Sequence, residues 1–185
     1  MKTTAGIKML AILAVFGFYS VNGFAQENHG TVSASGKYDQ GFKLGFGFNA
    51  GGVFDDPYVF TLGGDVRLQY DLSKRNSLTL TTGFTDLAIN GADNDLGFIP
   101  VKAGFKAFLY EQSFYIMGEA GAGVSVTHDY NKTSFLVAPT IGYATKYVDF
   151  SLHYEYYPDF PNSNNGEAGK GVSQFGLRIA YGFDL

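Results

Sequence analysis

Gln174 to Leu185 reads QFGLRIAYGFDL. Phe175, Leu177, Ile179, Tyr181, Phe183 and Leu185 are apolar and alternate with Gln174, Gly176, Arg178, Ala180, Gly182 and Asp184, which are polar or small. Successive side chains of an extended strand point to opposite faces, so this stretch has one greasy face and one polar or tightly packed face. A strand of about ten residues with this dyad period is the unit from which membrane-spanning barrels are built.

Working upstream, the same period recurs in seven further segments: Gln40–Asn49, Tyr58–Leu72, Ser77–Thr85, Phe98–Leu109, Phe114–Val126, Ser134–Ala144 and Val148–Tyr157. In the first, Phe42, Leu44, Phe46 and Phe48 oppose Lys43, Gly45 and Gly47. In the seventh, Val148, Phe150, Leu152, Tyr154 and Tyr156 oppose Asp149, Ser151, His153 and Glu155. The connections at 72–76, 110–113 and 145–147 are short. Those at 49–57, 86–97, 127–133 and 158–171 are longer and rich in Asn, Asp, Gly and Pro. Short turns at one end and long loops at the other are the asymmetry of outer-membrane barrels, and an even strand number puts both chain ends on the short-turn side. The expected fold is therefore all-β: an eight-stranded antiparallel up-and-down transmembrane β-barrel.

The start of the chain is of another kind. Lys2 and Lys8 precede the apolar run Met9–Tyr19, and Gly23-Phe24-Ala25 offers small residues for cleavage after Ala25. This is the pattern of a cleavable signal peptide at residues 1–25. Residues 26–36 lack periodicity and read as a flexible leader, and residues 37–185 as the barrel. No Cys occurs anywhere, which excludes disulfides and thiolate metal sites. The formal net charge of −4 argues against a nucleic-acid partner. The 25 Gly, 13 Tyr and 18 Phe suit a barrel in which small residues relieve interior crowding and rings sit at membrane interfaces.

Alternation alone does not tell inside from outside, because a soluble lipocalin-like barrel inverts the pattern. Three features favour a membrane. The polar faces carry both charge signs at mid-strand, in Lys43, Asp65, Arg67, Lys102, Lys106, Glu119, His153, Glu155 and Arg178, together with many glycines. This suits a crowded lumen in which each buried charge has a partner. The apolar faces are nearly free of charge, as lipid contact demands, since a Lys or Arg at the bilayer midplane costs roughly 2–4 kcal/mol. Aromatic residues gather at strand ends. Tyr58, Phe60, Phe84, Phe98, Tyr156 and Phe175 lie toward the long loops, and Tyr70, Phe108, Phe114, Tyr147, Tyr181 and Phe183 toward the short turns. Two such groups read as interfacial girdles.

These segments resemble the small eight-stranded outer-membrane barrels of the OmpA/OmpX type and the generic outer-membrane β-barrel domain families. Gln174, Gly176, Leu177, Ile179, Tyr181 and Phe183 are similar to the family's terminal assembly signal, with the usual final aromatic displaced by Asp184 and Leu185. Ile99–Gly123 (IPVKAGFKAFLYEQSFYIMGEAGAG) resembles a central hairpin of these families. The resemblance implies location in the outer membrane of a Gram-negative bacterium. It also implies contact with membrane lipid and lipopolysaccharide, biogenesis through periplasmic chaperones and the barrel-assembly machinery, and a monomeric state. No peptidoglycan-binding domain is expected.

Candidate chemistry is sparse. Ser151, His153 and Glu155 share one face, but same-face neighbours on one strand stand roughly 6.5–7 Å apart, beyond the reach of a catalytic relay. His128 and Asp129 read as solvated loop residues. Asp55-Asp56, Asp93 with Asp95, and PDFPNSNNGEAG lack the fixed spacing of a dedicated Ca²⁺ loop. No catalytic residue, cofactor or metal is expected. Lys102, Lys106 and Arg178 are expected to pair with Asp65, Glu119 and Glu155 across the interior. The leading functional expectation is a non-enzymatic anchor whose loops serve envelope integrity or surface contact. The alternatives are a narrow, porin-like channel for small or apolar solutes and a lipid-modifying enzyme.

Overall fold

The computed structural model describes residues 41–89, 95–109, 113–127, 132–164 and 167–185. The signal peptide and leader expected at residues 1–36 lie outside the described residues, as do Asp93, His128 and Asp129. Eight strands run in sequence order: β1 (Phe42–Val53), β2 (Tyr58–Asp71), β3 (Asn76–Ile89), β4 (Leu96–Phe108), β5 (Phe114–Ser125), β6 (Thr133–Ala144), β7 (Val148–Asn164) and β8 (Glu167–Asp184). Each pairs antiparallel with the next, and β1 pairs with β8 from Lys43↔Asp184 to Val53↔Gln174, closing the barrel. Closure leaves no strand edge without a partner, which is what a backbone surrounded by hydrocarbon requires.

The period-2 pattern fixes which face is which. On β3, Ser77, Thr79, Thr81 and Thr85 are buried, while Leu78, Leu80 and Phe84 are exposed on the outer surface. Phe46, Phe150 and Ile179 likewise point outward, each about half exposed (51%, 48% and 55%), and Leu68 shares the outward register of β2. A continuous apolar belt of this extent marks a surface that meets membrane. The short turns are tied locally. Ser73 Oγ accepts from the Arg75 and Asn76 amides at 3.2 and 3.1 Å, and Thr145 Oγ1 accepts from the Val148 amide at 3.0 Å. Ser and Thr form such turns because their hydroxyls reach backbone groups two or three residues away.

Three expectations need correction. The run Pro158–Gly171 is mostly not a loop: β7 and β8 continue to pair through Pro161↔Lys170 and Asn164↔Glu167. Pro158 falls within a register shift between Tyr157 and Pro161, where the regular ladder lapses, and Pro161 resumes it opposite Lys170. β1 extends to Val53, so the expected loop at 49–57 shortens to four residues, Phe54–Pro57. Finally, Tyr58, Phe98 and Phe108 do not belong to outer aromatic girdles. Phe98 and Phe108 share the inward register of Lys102 and Lys106. Tyr58 turns inward at a bulge that leaves Val59 and Phe60 both exposed.

Candidate functional site

The interior is filled from the turn end to the loop end by side chains that every strand contributes at alternate positions. At the turn-end mouth, Lys43 lies 3.5 Å from Asp71 and 3.6 Å from Asp184. Asp71 also accepts from Gln69 and Ser77, both at 2.6 Å. A small chamber of about 320 Å³ follows, with Lys106, Phe108, Asp149 and Arg178 among its lining. Asp149 gathers Lys106 Nζ at 2.7 Å, the Tyr115 hydroxyl at 2.7 Å and Arg178 Nη1 at 3.8 Å. Lys106 also stands 3.8 Å from the centre of the Tyr115 ring, a cation–π contact.

Deeper in, Arg178 grips Asp65 with two bonds, Nε to Oδ2 at 2.8 Å and Nη2 to Oδ1 at 2.5 Å. Asn49 donates to the same carboxylate at 2.6 Å. Two planar groups matched in this way form the strongest type of side-chain ion pair. Arg67 donates to Thr81 at 2.9 Å and lies 3.3 Å from Glu119, which Thr81 also bonds at 2.7 Å. Lys102 meets Glu155 at 2.5 Å and Glu119 at 3.8 Å. Glu155 Oε2 accepts from the Tyr157 hydroxyl at 2.5 Å and from Gln174 at 2.6 Å. In these buried layers four cations (Arg67, Lys102, Lys106, Arg178) face four carboxylates (Asp65, Glu119, Asp149, Glu155). Equal numbers matter because a buried charge left without a partner costs several kcal/mol.

Glycines make the room. A Cβ at Gly47 would stand 2.6–2.7 Å from the Arg178 guanidinium, and one at Gly142 would collide with the Tyr115 ring.

Toward the loops the chemistry changes. Tyr58, Leu87, Leu96, Phe98, Leu136, Ala138, Tyr157, Phe160 and Val172 form one apolar cluster across the lumen. Phe98 meets Tyr157 and Phe160 edge-on at 5.0 and 5.2 Å, and Tyr157 stacks on Phe160 at 5.0 Å. The register shift between Tyr157 and Pro161 holds Phe160 in this plug, and Val172 enters it as the β8 partner of Tyr157. It is pinned from the side: the Tyr58 hydroxyl donates to the Pro161 carbonyl at 2.9 Å, and Asp55 accepts from the Ser173 amide and hydroxyl at 2.7 and 2.6 Å.

All nine residues expected to form the lumen network lie on the inner face, eight of them buried and Lys43 at the mouth. Arg178 and Lys102 each pair with a member of the acidic set named from sequence, Arg178 with Asp65 and Lys102 with Glu155, although no individual pairing was anticipated. Lys106 pairs instead with Asp149, which the expected network left out although it shares the inward face of Ser151, His153 and Glu155. Tyr115, Gln69 and Thr81 were missed for the same reason, each sitting in the inward register of its strand. Ser151, His153 and Glu155 do share a face, but both oxygens of Glu155 are engaged by Lys102, Tyr157 and Gln174. Of the acidic residues outside the lumen, Asp55 and Asp95 bond the chain itself. Asp55 holds Ser173, and Asp95 accepts from the Ile89 amide at 3.0 Å. Among the described residues no group of three or more His, Asp or Glu side chains is placed to hold a metal ion. Within the terminal stretch, Leu177, Ile179, Tyr181 and Phe183 face outward while Gln174 and Gly176 face inward.

No family model matches the chain, and no curated protein matches it. Solved structures do. The outer-membrane protein Ail of Yersinia pestis in a phospholipid nanodisc superposes with a TM-score of 0.50 at 16% identity, covering 78% of this chain and all of that one. The N-terminal barrel domain of Pseudomonas aeruginosa OprF (TM-score 0.49, 12% identity, 78% and 100% covered) and neisserial surface protein A (0.47, 14%, 78% and 99%) are also similar. At such identities the likeness is one of fold: the chain has the architecture of the small eight-stranded outer-membrane β-barrels.

Proposed function

We propose that this protein is a non-conducting, non-enzymatic integral protein of a Gram-negative outer membrane, a monomer whose barrel anchors a loop-end working surface. On this reading residues 1–25 are removed on export. The terminal segment from Gln174 to Phe183 presents the barrel to chaperones and the assembly machinery. The outer belt sits among membrane lipids, with lipopolysaccharide around the loop end. Binding on such scaffolds resides in loops held by rigid strands.

One observation carries the reading: the lumen is obstructed twice, by paired charges in its turn-end half and by a packed apolar plug in its loop-end half. An eight-stranded barrel has room for its own side chains and little else, and here they fill it apart from the chamber of about 320 Å³ at the turn end. The engaged Glu155 leaves the Ser-His-Glu set without an acid to orient the imidazole, which speaks against lipid modification.

Reconstitution in planar bilayers tests the proposal. The folded protein is expected to give no steady conductance steps, and deletion of its gene to leave lipid A unaltered. Reproducible unit conductance from the intact protein would replace the anchor with a channel.

A further inference from the structure

The ladder between β6 and β7 lacks two rungs although its register is kept. Their pairing runs from Ala144↔Asp149 to Thr140↔His153 and resumes only at Val137↔Tyr156. Pro139 sits in the gap, while on its other side it keeps its place opposite Gly118 of β5. In an antiparallel pair a residue gives its N–H and its C=O to the same neighbour. Proline has no N–H. With the β5 side intact and the β7 side open, the missing donor is the one that Tyr154 would have received.

Beside this gap the outer surface is hollowed rather than convex. The paired Gly118 and Pro139, with Phe105, Ile141, Tyr154 and Phe175, line an open depression of about 730 Å³. Thr140 and His153, the last paired rung before the gap, also contribute to the lining. Among the described residues no side chain fills it, and a Cβ at Gly118 would meet nothing within 4 Å. The volume lies within the ~300–1,000 Å³ of small-molecule sites.

We propose that this hollow binds one acyl chain of a membrane lipid, held in preference to the lipid around the rest of the belt. Its lining includes Phe105, Ile116, Ile141, Leu152 and Phe175 of the exposed outer belt, and no Asp, Glu, Lys or Arg lines it. Where protein and solvent are equally apolar, association rests on close packing rather than on expulsion of water. A concave site bordered by rings supplies that packing for a flexible chain. A second copy of the protein fits poorly, because a two-fold contact would set hollow against hollow.

The inference rests on the membrane reading of the belt but makes a claim of its own. The test is photolabelling of the protein in proteoliposomes with a phospholipid carrying a diazirine along its acyl chain, followed by native mass spectrometry. Label is expected to concentrate on peptides holding Gly118, Pro139 and Tyr154 by about tenfold over Leu80 on β3, the ratio that a preference of about 1.4 kcal/mol gives. One lipid is expected to survive release from the bilayer. Gly118→Phe directs a ring into the hollow from a position where a Cβ meets nothing within 4 Å, and should abolish both signals while the barrel keeps its electrophoretic heat shift. Ile141→Trp, at the rim, serves the same purpose should Gly118→Phe not fold. Even labelling around the belt, unchanged by either variant, would overturn the proposal, as would a dimer mass with the hollow protected. A protein that takes no label anywhere and stays in solution would instead overturn the membrane reading itself.

Discussion

The two halves of the lumen solve the same problem with opposite chemistry. In the turn-end half, space is filled by long charged side chains whose value depends on matching: each of Arg67, Lys102, Lys106 and Arg178 lies within 4 Å of a carboxylate. In the loop-end half, space is filled by rings and branched chains whose value depends on volume, with Phe98, Tyr157 and Phe160 wholly inaccessible. The ionic half is specific and unforgiving, since removing one partner leaves the other charged in a dry interior. The apolar half tolerates changes of identity better than changes of size. Tyr157 is the seam between them: its ring stacks in the plug and its hydroxyl bonds Glu155.

This contrast can be broken at graded cost. Arg178→Ala should destabilise the barrel most, by about 3–5 kcal/mol, because it strands Asp65. Urea unfolding of the protein folded in lipid vesicles measures this. Replacing Arg178 and Asp65 together by apolar residues of similar size should recover most of the loss, and a double variant as weak as the sum of its parts would deny that pairing is what matters. Leu136→Ala in the plug should cost about 2–5 kcal/mol through the cavity it leaves, and refilling by Leu136→Met should restore most of it. Tyr157→Phe keeps the ring and removes one bond to a carboxylate, so a loss of about 1.5–3 kcal/mol is expected. Lys43→Ala at the wet mouth should cost no more than about 1 kcal/mol, since its ion pairs are exposed and screened; a larger loss would extend the dry ionic half to the barrel rim.

How much of this was legible follows the same division. Strand number and which residues share a face follow from alternation, because a period of two needs no knowledge of partners, and the charges and glycines of one face mark it as the inner one. Asp149 and Tyr115 were equally legible and fell outside the expected network only because the network was drawn from fewer residues than the inward register supplies. Who pairs with whom was less so: Lys106 reaches Asp149 across the barrel, and such contacts depend on stagger and closure, which local pattern does not encode. The apolar plug was hidden by a competing expectation. Aromatics at strand ends suggest interfacial girdles, and Phe98 and Phe108 were assigned there against their own parity with Lys102 and Lys106. Tyr58 was beyond reach of parity, because a bulge between it and Phe60 reverses its face. The prolines of PDFP suggested a loop, whereas the ladder lapses at Pro158, resumes at Pro161 and the hairpin pairs on beyond them.

The central claim is sidedness: hydrocarbon outside, charge and plug inside. The chain has no native Cys, so single-cysteine variants along β8 report it without background. Fluorophores at Leu177→Cys, Ile179→Cys and Tyr181→Cys should be quenched by brominated lipid chains, while those at Ala180→Cys and Gly182→Cys should not. Quenching at Ala180 and Gly182 with protection at Leu177, Ile179 and Tyr181 would contradict the account.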